Sequence, residues 1–177
     1  MVRCFIGVRI PESLWTKIIE VQNMLKNLPI DCKMVESENF HISLSFLGEV
    51  EDEKIGFLSS VLDFICKNYS RFAVEIGRIK LIPNESYIRV LALDVIGNGI
   101  LKSLSKEVKL KIGGDVKPPH LTLCRVRDVK NKNIVVDEIK KFDVNVGSFV
   151  VSSINLIKSE LKKSGPVYAD LHQSNLL

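Results

Sequence analysis

Disulfide frameworks, zinc sites and membrane spans all lack support in this sequence of 177 residues. Its four cysteines, Cys4, Cys32, Cys66 and Cys124, form no Cys-x-x-Cys pair, which argues against a disulfide framework and against a zinc site. Isolated cysteines are typical of reduced thiols in cytoplasmic proteins. No apolar stretch approaches the ~18 residues that a membrane span needs, and the N-terminus lacks the apolar core of a signal peptide. We therefore expect a cytoplasmic protein without membrane contact.

The sequence also lacks a large excess of charge of one sign, and it contains few aromatic residues. The 25 basic and 21 acidic side chains leave a net charge of +4, and the dense basic run of a dedicated nucleic-acid binder is missing. This mild excess suits an anionic substrate or brief contact with RNA. Aromatic residues make up only 7%, but 46% of the residues are hydrophobic, which is enough to bury the core of a single domain over residues 1–177.

Two of the three histidines occur in one short pattern, a histidine followed by an apolar residue and then a hydroxyl residue. The two copies are His41-Ile42-Ser43 and His120-Leu121-Thr122. Because successive side chains of a strand point to opposite faces, each histidine shares a face with its hydroxyl residue. The apolar face is typical of a core, which leaves imidazole and hydroxyl groups on a surface that folding does not require to be polar.

This pattern suits acid–base chemistry at a phosphate. Residues two apart in a strand are separated by ~6.6 Å, so a hydroxyl can donate to an anion while the neighbouring ring acts on an adjacent atom. Two such strands facing one cleft supply an imidazole base and an imidazole acid, as displacement at phosphorus needs. The sequence contains no metal-ligand motif, so we expect neither a metal nor another cofactor. A strained cyclic phosphodiester is the reactant that suits this chemistry.

Either motif alone has a simpler explanation. A histidine in a strand is usually a half-buried polar residue that bonds to a neighbour, and serine and threonine are common in strands. The presence of both motifs in a chain with three histidines is what favours catalysis over coincidence. A non-catalytic RNA-binding module is the alternative, although the aromatic signature of RRM domains is missing. Spacing does not decide which ring is the acid and which is the base.

Hydrophobic periodicity predicts an α+β chain. Strands are predicted around the two motifs and at residues 3–10, 71–82, 86–95, 144–158 and 160–171. Helices are predicted after Pro11, from Glu51, from Gly97-Asn98-Gly99 and over residues 131–142. The remaining predictions are a connection at residues 32–35, a turn or bulge at Ser164-Gly165-Pro166, a surface position for His172 and a frayed tail at residues 173–175.

The predicted order of elements repeats approximately. A strand, a helix, a strand, a helix and two strands are followed by a helix, a strand, a helix and two strands. Each half is expected to form a sheet covered by helices on one face, so that two lobes enclose a cleft. We place the junction between the halves at residues 95–98, and we keep the chain as one domain because the terminal strand can pair with the other half.

Several segments resemble the 2H phosphoesterase superfamily, whose signature is a His-x-Ser/Thr-x motif that occurs twice. Within it, the chain is similar to the LigT-like RNA 2′,3′-cyclic phosphodiesterases, first described as 2′-5′ RNA ligases. The similar segments, in the family's order, are residues 3–8 with Pro11, 38–49, 119–126, 156–161 and 165–168. The resemblance implies a bilobal LigT-like α+β fold, with two mostly antiparallel sheets, helices on the outer faces and a cleft between the sheets.

The resemblance also implies a role for each motif residue. His41 is expected to be the proton donor to the leaving ribose O3′ and His120 the proton acceptor from water. Ser43 and Thr122 are expected to hold the non-bridging phosphate oxygens. The implied reaction converts an RNA 2′,3′-cyclic phosphate end to a 2′-phosphate without a metal, and its reversal with a 5′-hydroxyl forms a 2′-5′ linkage. Action on 2′-5′ oligonucleotides or on another cyclic nucleotide is the alternative.

Three further residues are candidate substrate contacts. Ser45 continues the polar face of its strand, Tyr168 belongs to the closing segment, and Arg125 follows the second motif. Because Arg125 has the opposite strand parity to His120, it reaches the site only if the strand twists or bulges there. The expected partner is RNA with a 2′,3′-cyclic phosphate end, tRNA fragments included, and we expect a monomer.

Overall fold

Nine strands and four α-helices make up the part of the chain that the computed structural model describes, residues 1–96, 99–163 and 165–177. The strands are β1 (Val2–Arg9), β2 (Ile30–Met34), β3 (His41–Val50), β4 (Phe72–Asn84), β5 (Tyr87–Ile96), β6 (His120–Val129), β7 (Gly147–Val151), β8 (Ser153–Lys162) and β9 (Gly165–Asn175). The helices are α1 (Trp15–Leu25), α2 (Ile55–Cys66), α3 (Gly99–Lys111) and α4 (Lys132–Lys141).

The strands form one antiparallel sheet in the order β7-β4-β5-β6-β3-β1-β8-β9, and β2 pairs with β6 beside this path. β3 and β6 meet at a single residue pair, Ile42 and Leu121. This pair joins two halves of the sheet, β7-β4-β5-β6 and β3-β1-β8-β9. Helix α2 packs against β8 and β9, α3 against β3, and α1 against β6. The predicted α+β fold with mostly antiparallel strands is confirmed.

Alternating apolar residues supply the core beneath the helices. In β1, Ile6 and Val8 are buried, and Ile42 of β3 and Leu121 of β6 have no exposed surface. Each fully buried aliphatic side chain of this kind stabilises the fold by ~1.5–3 kcal/mol. The buried helix residues that cover this layer include Ile18, Val21, Leu25, Leu62, Ile65, Leu101, Leu104, Val108, Val135 and Ile139.

Residues 30–34 form a strand, so the predicted connection at residues 32–35 is wrong. Ile30 lies opposite Val129 and Met34 lies opposite Cys124 in the antiparallel pairing of β2 with β6. The segment is short and mixes polar with apolar residues, so its own periodicity is weak. Hydrogen bonds to β6, which only the tertiary structure supplies, make it a strand.

The chain after residue 144 contains three strands instead of the two predicted over residues 144–158 and 160–171. β7 pairs with β4, whereas β8 pairs with β1 in the other half of the sheet. The chain therefore changes partner between Val151 and Ser153, and one continuous strand cannot do so. Of the predicted turn, Ser164 lies outside the described residues, and Gly165 begins β9.

The C-terminal strand β9 continues to Asn175, so the predicted frayed tail at residues 173–175 is wrong, whereas the side chain of His172 is still 30% exposed. A bulge leaves Leu171 without a partner between Asp170 and His172. The bulge turns His172 and Ser174 toward α2, where Nε2 of His172 and Oγ of Ser174 donate to Oδ1 of Asp63 at 2.8 and 2.7 Å. Ser174 is consequently buried.

Each half of the sheet contains strands from both halves of the chain. β8 and β9 lie beside β1 and β3, while β4 and β5 lie with β6 and β7. Gly97 and Asn98, where the third helix is predicted to begin, lie outside the described residues, and α3 is described from Gly99. The single domain with a junction at residues 95–98 stays a prediction.

Among the described helices, none combines the length and the apolar character that crossing a membrane requires.

Candidate active site

The two His-x-Ser/Thr motifs meet where β3 pairs with β6. Ile42 lies opposite Leu121, and both side chains point into the core. Continuing this antiparallel register by one residue on each side places His41 beside Thr122 and Ser43 beside His120. All four polar side chains therefore share the face opposite the core, although the motifs are far apart in the chain. Of the four, His41 and Thr122 line a common hollow.

The same backbone contact orients both imidazoles. Nδ1 of His41 lies 2.7 Å from the carbonyl oxygen of Asn39, and Nδ1 of His120 lies 2.8 Å from the carbonyl oxygen of Pro118. A carbonyl oxygen only accepts hydrogen bonds, so Nδ1 carries the proton and donates in both rings. This arrangement leaves Nε2 of each ring available for proton transfer.

A β-bulge follows each motif at the same place. Leu44 has no partner in β1 between Ser43 and Ser45, and Leu123 has no partner in β5 between Thr122 and Cys124. Each extra residue reverses the alternation of side chains beyond it. In each strand, the second residue after the motif hydroxyl therefore points into the core, and the third points to the cleft.

The first bulge removes Ser45 from the site. Oγ of Ser45 donates to the carbonyl oxygen of Gly113 at 2.8 Å, and the side chain is 0% exposed. The predicted substrate contact of Ser45 is therefore wrong, because simple alternation does not continue through the bulge. Phe46 takes its place on the cleft face, where its ring centroid lies 6.1 Å from that of Phe5.

The second bulge brings Arg125 to the site. Arg125 lines a small hollow of about 40 Å³ together with His41, Thr122 and Tyr168. Simple alternation along β6 would place Arg125 on the face opposite His120, but the unpaired Leu123 reverses the alternation beyond it. Cys124 is turned into the core by the same bulge.

Aromatic rings enclose His41 on one side. Its ring centroid lies 4.7 Å from that of Phe5 and 5.1 Å from that of Tyr168, whose ring is nearly perpendicular to the imidazole. The structure thus places Tyr168 against a motif histidine. The sequence motifs do not include Phe5, Phe46 or Arg9. The alternation of β1 contains a signal for two of them, because Phe5, which is itself buried, and Arg9 lie on the face opposite Ile6 and Val8.

Comparison with known proteins assigns the family. Residues 8–92 and 98–168 match the LigT-like phosphoesterase family. The chain belongs to this family. It is 32% identical over 177 residues to an RNA 2′,3′-cyclic phosphodiesterase of Methanothermobacter thermautotrophicus, with 96% of each chain covered. A protein of the same name from Methanocaldococcus jannaschii is 35% identical over 173 residues, which cover 94% of this chain and 96% of the relative. The resemblance seen in the sequence is confirmed.

Solved structures share the fold of this LigT-like phosphoesterase. A protein of Thermus thermophilus superposes with a TM-score of 0.83 at 23% identity, over 98% of this chain and 97% of that chain. LigT of E. coli in its apo form superposes with a TM-score of 0.75 at 23% identity, over 99% and 97% of the two chains. These neighbours support the same arrangement of strands and helices.

The surroundings of the two histidines in the LigT-like site are unequal. Burial lowers the pKa of His41 from 6.5 to about 4, and the charges of Arg9, Arg125 and His120 act in the same direction. Arg9 lies opposite His41 in the pairing of β1 with β3, and its Nε donates to Oδ1 of Asp170 at 3.0 Å. His41 is therefore neutral at pH 7 in the free protein.

A larger cavity of about 570 Å³ adjoins the hollow. Lys33, Arg125, Pro166 and Tyr168 line both spaces, so the two are adjacent. Within the described part of the chain, no three His, Cys, Asp or Glu side chains are grouped as ligands of a metal ion. The site as described offers two imidazoles, two hydroxyls and a basic cleft.

Proposed function

We propose that this LigT-like phosphoesterase hydrolyses the 2′,3′-cyclic phosphate at an RNA end to a 2′-phosphate. The observation that carries the proposal is the antiparallel pairing of two His-x-Ser/Thr motifs, with both rings oriented through Nδ1. The relatives named RNA 2′,3′-cyclic phosphodiesterase support the choice of substrate. LigT of E. coli, which shares the fold, has been crystallised with 3′-AMP.

In the proposed reaction, both proton transfers are made by side chains. Nε2 of His120 accepts a proton from water while the water oxygen bonds to phosphorus. The bond from phosphorus to O3′ breaks, and Nε2 of His41 gives its proton to O3′. Ser43 and Thr122 donate hydrogen bonds to the non-bridging oxygens, where negative charge increases in the transition state. Two imidazoles thus supply the acid and the base, which makes the reaction independent of a metal.

His41 takes up its proton when the substrate binds. Burial and nearby cations keep the pKa of His41 near 4 in the free protein, so the ring is neutral before binding. A bound phosphate anion favours the protonated ring by opposite charge and raises that pKa. Substrate binding is therefore coupled to proton uptake. The reverse reaction at the same site, with a 5′-hydroxyl as nucleophile, would join two RNA ends through a 2′-5′ linkage.

Replacement of each histidine tests the proposal. We expect His41→Ala and His120→Ala each to lower kcat/KM on an RNA 2′,3′-cyclic phosphate end by about 10²- to 10⁴-fold, because each removes one proton transfer. Product analysis should identify a 2′-phosphate, and EDTA should leave the wild-type rate unchanged. Unchanged turnover in either variant would refute the two-histidine mechanism.

Ser45→Ala is the matched control. It removes a hydroxyl from the same strand as Ser43 but from the opposite side of the sheet, so activity should persist. Circular dichroism of all variants establishes that they are folded. If wild-type protein binds the RNA end but releases no product, the non-catalytic RNA-binding alternative is correct.

A further inference from the structure

We propose that Arg9 is a positioning residue for His41 and acts on it through the backbone segment that orients the imidazole ring. This inference rests on the proposed function, in which His41 is the proton donor. It goes beyond that function because Arg9 belongs to neither of the two motifs.

Arg9 lies beside His41 but outside the space for a substrate. It is the last residue of β1, and it lies opposite His41 in the pairing of β1 with β3. Side chains of directly opposite residues share a face of the sheet, so both point away from the buried pair Val8 and Ile42. Arg9 lines neither the hollow of about 40 Å³ nor the adjoining cavity. We therefore infer an action through His41 and not a contact with the substrate.

The guanidinium group of Arg9 connects β9 with the segment that precedes His41. Nε donates to Oδ1 of Asp170 at 3.0 Å, and Nη2 lies 2.8 Å from the same oxygen. Nη1 donates to the carbonyl oxygen of Glu38 at 3.2 Å. Oδ2 of Asp170 accepts a hydrogen bond of 3.2 Å from Nδ2 of Asn155, a buried residue of β8. A carboxylate held in this way fixes the planar guanidinium group in one orientation.

The contact with Glu38 leads directly to the ring of His41. Glu38 belongs to the short 3₁₀ helix Ser37–Asn39. The carbonyl oxygen of the next residue, Asn39, accepts the hydrogen bond of 2.7 Å from Nδ1 of His41. Only two backbone dihedral angles separate these consecutive peptide groups, so a donor on the first carbonyl restricts the direction of the second. Arg9 thereby limits the orientations that His41 can adopt.

His120 does not depend on such a contact, because its anchor is stiff by itself. Nδ1 of His120 donates to the carbonyl oxygen of Pro118, which is followed by Pro119. The two proline rings hold φ of both residues near about −65°. Neither Asn39 nor the residue after it is a proline. The anchor of His41 therefore depends on contacts from other strands.

Arg9→Lys tests these hydrogen bonds without removing the charge. Burial is the main cause of the low pKa of His41 and the charge of Arg9 adds to it, so a lysine leaves both effects in place. An ammonium group lacks the planar fork that holds Asp170 and the carbonyl oxygen of Glu38 together.

We expect kcat of Arg9→Lys on an RNA 2′,3′-cyclic phosphate end to fall about 5- to 50-fold, because a misplacement of ~1 Å can cost up to about 10²-fold. KM should stay within about 2-fold of the wild-type value, since Arg9 does not line the space for the substrate. This separation of kcat from KM distinguishes positioning of His41 from binding of the RNA.

Nitrogen NMR of the His41 ring gives a readout that does not depend on turnover. The hydrogen bond to Asn39 requires the proton on Nδ1, so the wild type at about pH 7 should show this tautomer alone. Arg9→Lys should show a mixture of the Nδ1 and Nε2 tautomers, because the carbonyl of Asn39 is no longer held in one direction. The nitrogen signals of His120 should be the same in both proteins.

Asp170→Ala tests whether Arg9 is held from β9. The substitution should also lower kcat, and the double variant with Arg9→Lys should lie within about 2-fold of Arg9→Lys alone, because both changes remove the same contact. Arg127→Lys is the matched control. Arg127 pairs with Asp31 at 3.7 Å near the far end of β6 from His120, and its replacement should leave kcat and KM unchanged. Circular dichroism establishes that all variants are folded.

The outcomes separate this inference from the proposed function. A lower kcat together with mixed tautomers of His41 in Arg9→Lys supports the inference. Wild-type kcat in the folded variant, a rise of KM alone, unchanged nitrogen signals of His41, or losses from Arg9→Lys and Asp170→Ala that multiply each overturn it. Absence of hydrolysis by the wild type overturns the proposed function instead, and the NMR comparison then decides whether Arg9 positions the ring.

Discussion

His41 and His120 make the same kind of backbone hydrogen bond but have different surroundings. Both rings donate from Nδ1 to the carbonyl oxygen two residues earlier in the chain. His41, however, is enclosed by Phe5 and Tyr168 and faces Arg9 on the neighbouring strand. Two residues of the same type in the same motif therefore lie in different surroundings, and those of His41 lower its pKa.

The lowered pKa of His41 predicts a pH-dependent stability. Below pH 6.5 the unfolded chain takes up a proton on His41, but the folded protein does not until about pH 4. The free energy of unfolding should therefore fall as the pH falls from 6.5 to about 4, by at most about 3 kcal/mol from this residue. Urea unfolding at about pH 7 and about pH 4.5 measures the change.

His41→Asn isolates this contribution, because asparagine does not titrate while other groups of the protein still do. The variant should lose less stability on acidification than the wild type. An equal loss in both proteins would show that burial does not lower the pKa of His41.

At the scale of single elements, the bulges in β3 and β6 decide which side chains face the cleft. They bring Phe46 and Arg125 to the site and turn Ser45 and Cys124 away from it. The segment after α3 closes against the first bulge. Residues 46 and 115 pair there through two backbone hydrogen bonds of 3.0 and 2.9 Å.

Gly114 is predicted to be intolerant of a side chain because of this packing. Its φ is +92°, and an added Cβ would lie 2.7 Å from the carbonyl oxygen of Phe46 and would overlap Oγ of Ser45. We expect Gly114→Ala to lower the free energy of unfolding by about 2 kcal/mol or more. Gly56→Ala in α2, where an added Cβ contacts nothing within 4 Å, should be neutral or slightly stabilising. Similar losses in both variants would contradict the packing argument.

At the scale of the whole molecule, β9 connects the helix layer to the cleft. Near its end, His172 and Ser174 bind Asp63 of α2. Near its beginning, the carbonyl oxygen of Pro166 accepts a hydrogen bond of 2.9 Å from Nδ2 of Asn39. The carbonyl oxygen of Asn39 in turn accepts a hydrogen bond from Nδ1 of His41. The last strand of the chain thereby supports the segment that orients a motif histidine.

Asp63→Ala tests the attachment of β9 to α2. The substitution leaves two donors without their shared acceptor, so the free energy of unfolding should fall by about 1–3 kcal/mol. Catalytic turnover of the folded fraction should persist, since Asp63 lies on the helix side of the sheet. Asp137→Ala on the exposed face of α4 is the control and should change stability by less than about 0.5 kcal/mol. Chemical denaturation compares the two, and equal effects would contradict the proposed attachment.

Local alternation predicts much of this molecule. The burial of Ile6 and Val8 in β1, the burial of Ile42 and Leu121 in the motif strands and the shared face of each histidine with its hydroxyl follow from period-two patterns in the sequence. These patterns do not predict the short strand β2 or the change of strand partner at Ser152, because both depend on which strand lies alongside. The direction of the Ser45 side chain is not predicted for the same reason, because it depends on a bulge and a bulge forms between two paired strands.

The amino-acid sequence by itself determined the residue types available for acid–base chemistry, their spacing within each strand and the apolar faces that had to be buried. These properties are local, because they follow from the geometry of a single extended chain. Only the tertiary structure decided the register of Ile42 against Leu121, the direction of Ser45 and Arg125, and the environment that makes the two histidines unequal. Those properties arise between segments that are distant in the chain, so no pattern within either segment contains them.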